Sequence, residues 1–497
     1  MKRPLLVALA LALLLSELDQ TVFATALPTV VGELDGVADM LWVNTAYLLA
    51  GTVTMPVVGR LSDLLGRKPL LVTGLLVFVA GSVLGGLATS IDVLVAARTV
   101  QGLGAGGMII LVQAVVADAV PARERAPYLS AVAAVFAVAA VAGPVLGGWL
   151  TDGPGWRWAF WLNLPVGGAA LVAVALLLHE PRRAPGRLRL DVAGITLLTV
   201  AVTAVVLLAS WAGTRYPYTS PVVLGLAVLT LGSTAAFVAV EHGVAEPILP
   251  LSLFADRTFS AAVLAGLAMS VAMFGTVGYL PTYLQLVTGL SPTAAGMAML
   301  SLVAGIGLCT VGSAQLVRRT GRYRALTLAG SVVTAGALGL LATLTPATPL
   351  PLTCAYLFGL GAGIGCAWEV LVVVVQNASP PDLVGTATAA NSFVREIGVC
   401  LGSALVGAAF VARLGRELPA AATDLTPTAV RRLSPDLQAA VATAYNDALT
   451  PVFAALVPVM ALAVVALLGL REVPLARSLR GVGSDLATTE GPRRAQR

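Results

Sequence analysis

Apolar residues run along this chain in stretches of roughly 20, each halted by a short polar break. The stretches lack the strict alternation of barrel strands, so helices are predicted. Hydrocarbon offers backbone amides no partner, and a helix satisfies its own. Fourteen spans are expected, at about 5–30, 41–59, 69–89, 92–118, 127–151, 159–179, 191–211, 221–241, 259–288, 293–317, 325–344, 350–376, 384–411 and 449–470. The fold class is an all-α integral membrane protein.

Composition agrees. The chain is 58% hydrophobic and 11% charged over 497 residues, more apolar than a soluble protein of that length can bury. Basic residues gather in alternate breaks, among them Lys2, Arg3, Arg60, Arg67, Lys68, Arg123, Arg125, Arg182, Arg183, Arg318, Arg319 and Arg322. The opposite breaks hold few, such as Arg157, Arg215 and Arg413. Positive charge stays inside, so both termini are expected in the cytoplasm and the chain in the cell inner (plasma) membrane. The same asymmetry explains the pI of about 9.2, and no nucleic-acid partner is expected. Lys2-Arg3 and the apolar run to Leu15 imitate a signal peptide. Glu17 and Asp19 fit a cleavage region poorly, so an uncleaved first span is expected. Cys309, Cys354, Cys366 and Cys400 lie in apolar spans without metal or redox spacing. His179 and His242 sit at span ends, and no metal or cofactor is expected.

An internal repeat organises the chain. Gly102-Leu103-Gly104-Ala105-Gly106 recurs as Gly359-Leu360-Gly361-Ala362-Gly363, and Asp118-Ala119-Val120-Pro121 is echoed by Asn377-Ala378-Ser379-Pro380. Gly66-Arg67 is echoed by Gly321-Arg322, with Arg318 where Asp63 would fall. Eight spans separate the copies. Two pseudo-symmetric six-helix bundles plus two extra transmembrane helices account for that offset. The expected units are 1–180, the inserted pair at 190–242, 256–471 with an outer loop at 412–448, and a cytoplasmic tail at 472–497. Such repeats occur in secondary transporters, with the substrate path between the halves.

The densest charge lies between spans two and three, in Gly59-Arg60-Leu61-Ser62-Asp63-Leu64-Leu65-Gly66-Arg67-Lys68-Pro69. Gly59 and Gly66 permit close approach and tight turning. Asp63 stands where the positive N-terminal end of a helix from the other bundle could meet it. Arg67 and Lys68 could anchor the loop to anionic headgroups. A breakable latch is the expected role of this knot. A solvated loop is the competing reading, and it leaves Asp63 unexplained.

These residues resemble the major facilitator superfamily, specifically its fourteen-span drug:proton antiporter branch. Residues 59–69 are similar to the superfamily's hinge motif, and Leu18-Asp19-Gln20-Thr21-Val22-Phe23-Ala24-Thr25-Ala26-Leu27-Pro28 to the branch's first-span signature. Arg98-Thr99-Val100-Gln101-Gly102 resembles the fourth-span motif. Gly143-Pro144-Val145-Leu146-Gly147-Gly148 resembles the antiporter motif, and Asn163-Leu164-Pro165 its usual continuation. Asn391 to Gly402 resembles the thirteenth-span pattern. The resemblance implies proton-coupled drug efflux of the kind that confers antibiotic resistance.

Acids buried at bilayer depth are costly and are functional candidates by default. Asp19, Glu17, Glu369 and Glu396 are the expected proton-coupling acids, with Asp19 first because it sits in the signature. Asp19 and Glu17 lie roughly 200° apart around a helix, so one can face a cavity while the other pairs. For Arg98 the resemblance implies proton relay, and a structural ion pair stays open beside it. Gly143, Gly147 and Gly148 allow close helix packing, and Pro144 a bend. Gln101, Tyr279, Tyr283, Trp368 and Asn391 are the substrate-contact candidates; for the aromatics, helix packing competes.

Only Lys2 and Lys68 occur as lysines, and neither completes a nucleotide-binding G-x-x-x-x-G-K-[ST] loop. An ion gradient is the remaining energy source. One proton falling through about 100 mV supplies about 2.3 kcal/mol. The expected partners are a small molecule, protons and the bilayer, and the expected state is a monomer. The alternatives are an exporter dedicated to one metabolite or lipid and a membrane sensor that transports nothing.

Overall fold

The computed structural model describes residues 3–34, 40–179, 191–213, 215–244, 246–417, 430, 433–472 and 475. Its helices are α1 (Arg3–Glu33), α2 (Met40–Leu65), α3 (Arg67–Gly86), α4 (Ile91–Ala105), α5 (Met108–Ala119), α6 (Ala122–Asp152), α7 (Arg157–Trp161), α8 (Asn163–Leu177), α9 (Val192–Trp211) and α10 (Pro221–Gly243). They continue with α11 (Arg257–Val277), α12 (Leu280–Leu286), α13 (Pro292–Thr320), α14 (Arg324–Leu341), α15 (Leu350–Asn377), α16 (Val384–Glu417) and α17 (Pro435–Leu468). Among the described residues, fourteen spans are long and apolar enough to cross a membrane. Three combine two helices each: α4 with α5, α7 with α8, and α11 with α12.

Several helix starts are written in their caps. Ser90, Asp191, Ser220, Asp256 and Ser291 each accept a hydrogen bond from a backbone N–H three residues on. The last span differs from expectation. α17 begins at Pro435, a residue suited to a first turn, rather than at 449, and α16 runs on to Glu417. The expected outer loop is therefore helical at both margins. Most of its middle lies outside the described residues, as does nearly all of the tail from 473.

α1 packs on α6 and α8, and α4 on α2 and α3. α15 packs on α13 and α14, α11 on α16, and α17 on α11 and α14. The halves meet chiefly where α2 lies along α16 and α6 along α13. The inserted α9 and α10 pack on each other, and α9 also touches both α2 and α16. Its stripe Leu198, Val202 and Val206 belongs to the same buried cluster as the second half's core.

Close packing gives the repeat its register. A Cβ on Gly104 would lie 2.5 Å from the Phe78 backbone nitrogen on α3, and one on Gly363 2.5 Å from that of Thr334 on α14. Gly102 and Gly106 press on backbone oxygens of α2, as Gly361 and Gly365 do on α13. Gly102, Gly104 and Gly106 thus correspond to Gly361, Gly363 and Gly365, two residues later than the sequence match suggests. The counterpart of Glu369 is then Ile110.

Candidate functional site

The end of the bundle carrying the α2–α3 turn, here the hinge end, is closed by polar contacts between the halves. Gly66 makes the turn at φ 96°, a conformation costly for any side chain. Asp63 Oδ1 accepts from the Gly385 N–H at 2.9 Å. Its Oδ2 accepts from the N–H and hydroxyl of Thr386, each at 2.6 Å. Gly385 and Thr386 open α16, so a carboxylate of the first half caps the positive pole of a second-half helix. A Cβ on Gly59 would overlap that of Ala389, so only glycine lets α2 and α16 come this close.

Arg67 completes the clasp. Its Nη1 lies 2.6 Å from Asp63 Oδ1 and its Nε 3.2 Å from Asp118 Oδ2. The side chain is fully buried. The expectation that Arg67 anchors to headgroups is therefore corrected. A guanidinium bonded to two carboxylates gains more than one held in lipid headgroups. Lys68 Nζ likewise donates to the Ala175 carbonyl at 2.6 Å, in the last turn of α8.

A second polar cluster lies inside the first half. Asp19 Oδ2 pairs with Arg98 Nη1 at 2.5 Å, and Oδ1 accepts from Asn163 at 2.6 Å and Gln101 at 3.0 Å. Ser82 accepts from both amides, at 2.9 and 3.2 Å. The Arg98 guanidinium lies over Tyr47 and Phe23, 4.2 and 4.7 Å from their ring centres. All five polar residues are buried. Two expectations change here. Asp19 does not face an open cavity but is fully partnered, and Gln101 serves Asp19 rather than a substrate. Of the two readings for Arg98, the ion pair is what the geometry contains. Asn163 stood out in the sequence only as part of a motif and Ser82 not at all, because their pairing with Asp19 depends on helix rotations that a lone amide and a lone hydroxyl in apolar spans do not reveal.

The remaining acids are differently placed. Glu17 on α1 and Glu396 on α16 are both half-buried and close enough to interact electrostatically across the two halves. Glu369 on α15 is buried, with Oε2 unpartnered. Arg395 interacts electrostatically with both Glu369 and Glu396, and its guanidinium lies 3.4 Å from the Trp368 ring centre. Among the described residues no cation lies within ion-pair distance of Glu17, Glu369 or Glu396. Asn391 is buried with both amide atoms unpartnered, one α16 turn from Arg395. Both carboxylate oxygens of the first half's cluster are thus partnered, with Arg98 Nε left over, whereas Glu369 Oε2 and both Asn391 amide atoms of the second half are unpartnered.

The antiporter-motif glycines divide. Gly143 sits against Thr21 and Gly147 against Thr25 and the Val22 carbonyl, so two α1 threonines seat on α6. A Cβ on Gly148 would meet nothing within 4 Å, which corrects the expectation that it packs. α6 stays helical through Pro144, whose side chain lies outside the described residues. Tyr283 is corrected as well. It is buried and donates to Asn446 at 2.8 Å, which makes it part of the second half's core. Tyr279 is half-buried and stacks on Phe410 at 5.2 Å.

Two pseudo-equivalent helical halves, clasped at one end and carrying unpaired acids on helices near their junction, define a multi-pass membrane transporter. The chain belongs to the Major Facilitator Superfamily, whose family model matches residues 9–403. An uncharacterized MFS-type transporter of Mycobacterium tuberculosis (strain ATCC 25618 / H37Rv) is 39% identical over 476 residues, 94% of this chain and 69% of the relative. The multidrug transporter protein MdtP of Bacillus subtilis (strain 168) is 35% identical over 418 residues, 84% and 77% of the two chains. The human organic anion transporter MFSD10 (TETRAN) shares the fold, with a TM-score of 0.62 at 16% identity over 92% of this chain and 99% of its own.

Proposed function

We propose that the protein exports small lipophilic compounds, cationic ones included, across the cytoplasmic membrane in exchange for protons. The carrying observation is the set Glu17, Glu369 and Glu396: acids of α1, α15 and α16 without an ion-pair partner among the described residues, in a molecule closed at its hinge end. A relative named as a multidrug transporter supports the cargo class, and relatives named as efflux pumps support export as the direction.

In this reading both termini are cytoplasmic, the hinge end faces the cytoplasm, and one chain suffices. Cargo enters from the cytoplasm or inner leaflet when the clasps are broken and the acids are ionised. The halves rock, the Asp63 clasp forms, and the far end opens. A proton arriving from outside neutralises an acid and removes its attraction for cationic cargo. The protonated protein returns and releases its proton inside. Glu17 and Glu396 belong to opposite halves, so a shared proton also relieves the repulsion that their approach would cause. The Asp19–Arg98 pair holds α1 against α4 and stays closed through the cycle. No cofactor beyond the ion gradient is required.

The test is flux in proteoliposomes with an imposed pH gradient and a panel of lipophilic cations. Transport should collapse with a proton ionophore, and Glu369→Gln and Glu17→Gln should flatten its pH dependence. Flux indifferent to the gradient would refute proton coupling. Transport of one compound alone would point to a dedicated exporter.

A further inference from the structure

We infer that Arg123 is a second gating residue, clasping the halves at the negative pole of α13 as Asp63 does at the positive pole of α16. Arg123 lies in the first turn of α6, in the first half. Its Nε donates to the Arg318 carbonyl at 3.0 Å and its Nη2 to the Arg319 carbonyl at 2.5 Å. Those carbonyls belong to the last turn of α13, where helix geometry leaves them without partners. The helix ends there at Gly321, in the left-handed conformation at φ 71°. The guanidinium carbon sits 3.7 Å from where a Gly321 Cβ would be.

The repeat makes the two contacts equivalent. α13 is the counterpart of α2, and α6 that of α16. At the first junction a side chain from the end of α2 reaches the amides that open α16. At the second, a side chain from the start of α6 reaches the carbonyls that close α13. The charge is inverted because the pole is inverted. Arg318, which stands at the place of Asp63, contributes its carbonyl and not its side chain.

A basic residue obeying only the positive-inside rule would point into solvent. Arg123 instead spends two nitrogens on two successive carbonyls of the other half. It does so in a cleft of about 430 Å³ that Arg318 and Arg319 also line, with Glu124 as the acid there. Like charges nearby oppose its position, so carbonyl geometry must hold it. A lysine lacks the two-nitrogen fork. The clasps also differ chemically: a carboxylate can be neutralised by a proton, whereas a guanidinium stays charged.

This inference rests on the two halves rocking against each other. Its test reads a distance without substrate, so failure of proton-coupled export would leave it standing and its own failure would leave export untouched. Spin labels on Glu124→Cys and Thr320→Cys report the α6–α13 separation. Arg123→Gln should raise the hinge-open population roughly tenfold, the loss of one to two charge-assisted hydrogen bonds at a half-exposed site. Arg123→Lys should widen the same distance. An unchanged distance distribution in Arg123→Gln, or full closure retained in Arg123→Lys, would overturn the assignment. If Arg123→Gln does not fold, Arg123→Lys decides alone.

Discussion

Replacing Asp63 by asparagine changes one atom and tests the clasp directly. Asp63 accepts three hydrogen bonds from the start of α16, at 2.9, 2.6 and 2.6 Å, and its side chain is 1% exposed. Asparagine keeps one acceptor oxygen and presents an NH₂ where the second stood, facing a donor. At least two bonds to a charged acceptor are lost, and one buried donor loses its partner. Bonds to charged groups contribute about 1.5–3 kcal/mol each, and part of the loss is recovered by relaxation. A net loss of about 3 kcal/mol from the closed hinge end follows, roughly a 150-fold shift toward opening. Arg67 limits the damage because Asp118 and Ser62 still hold it. Pulsed spin-label distances between the hinge ends of α2 and α16 measure the shift without substrate. Thr386→Val, which removes only the hydroxyl donor, should give a smaller shift in the same direction. An Asp63→Asn protein with the wild-type distance distribution would refute the clasp.

Three further outcomes are expected. Gly147→Ala should lower the melting temperature by overpacking α6 on α1, a cost of about 1–3 kcal/mol, whereas Gly148→Ala should leave it unchanged or raise it; equal effects would contradict the packing described. Asp19→Asn should destabilise by about 3–5 kcal/mol, since it strands a buried guanidinium, and Arg98→Gln added to it should recover part of the melting temperature. At the far end, Arg157 and the Trp156 indole N–H hold Glu33 below its ordinary carboxylate value. A depressed carboxylate stabilises fully above its unfolded value, and that contribution fades as pH falls through the lower folded one. The melting-temperature difference between wild type and Glu33→Gln should therefore be small and constant above about pH 5 and shrink as pH falls through the lowered folded value.

The spans were legible because apolar length is a property of the sequence alone. So was the knot at residues 59–69, where Asp63 between two glycines had no bland explanation. Pairings between helices were not legible in the same way. Asp19 and Arg98 are 79 positions apart. Which of Asp19 and Glu17 faces inward depends on helix rotation, which packing against α6 and α8 decides. Glu17 was ranked below Asp19, yet it is Glu17 that lies toward the other half. Arg123 was counted only as a charge on the inner side, because nothing in Ala122-Arg123-Glu124 reveals that α13 ends beside it. The repeat was visible, and the Asp118–Asn377 echo had the right offset, but the glycine segment was matched two residues off, since glycines at alternate positions match equally well after sliding by two. Only the helices they touch fix the alignment.

The inserted hairpin makes the flanks of the molecule unequal. Along one flank, α9 overlies the line where α2 meets α16, anchored to α2 by the edge-on contact of Trp42 with Trp211 at 5.8 Å. Along the other, α6 and α13 pack side by side, and among the described residues α9 and α10 do not lie over them. A greasy molecule drifting sideways through the leaflet meets a curtain on the first flank and an uncurtained seam on the second.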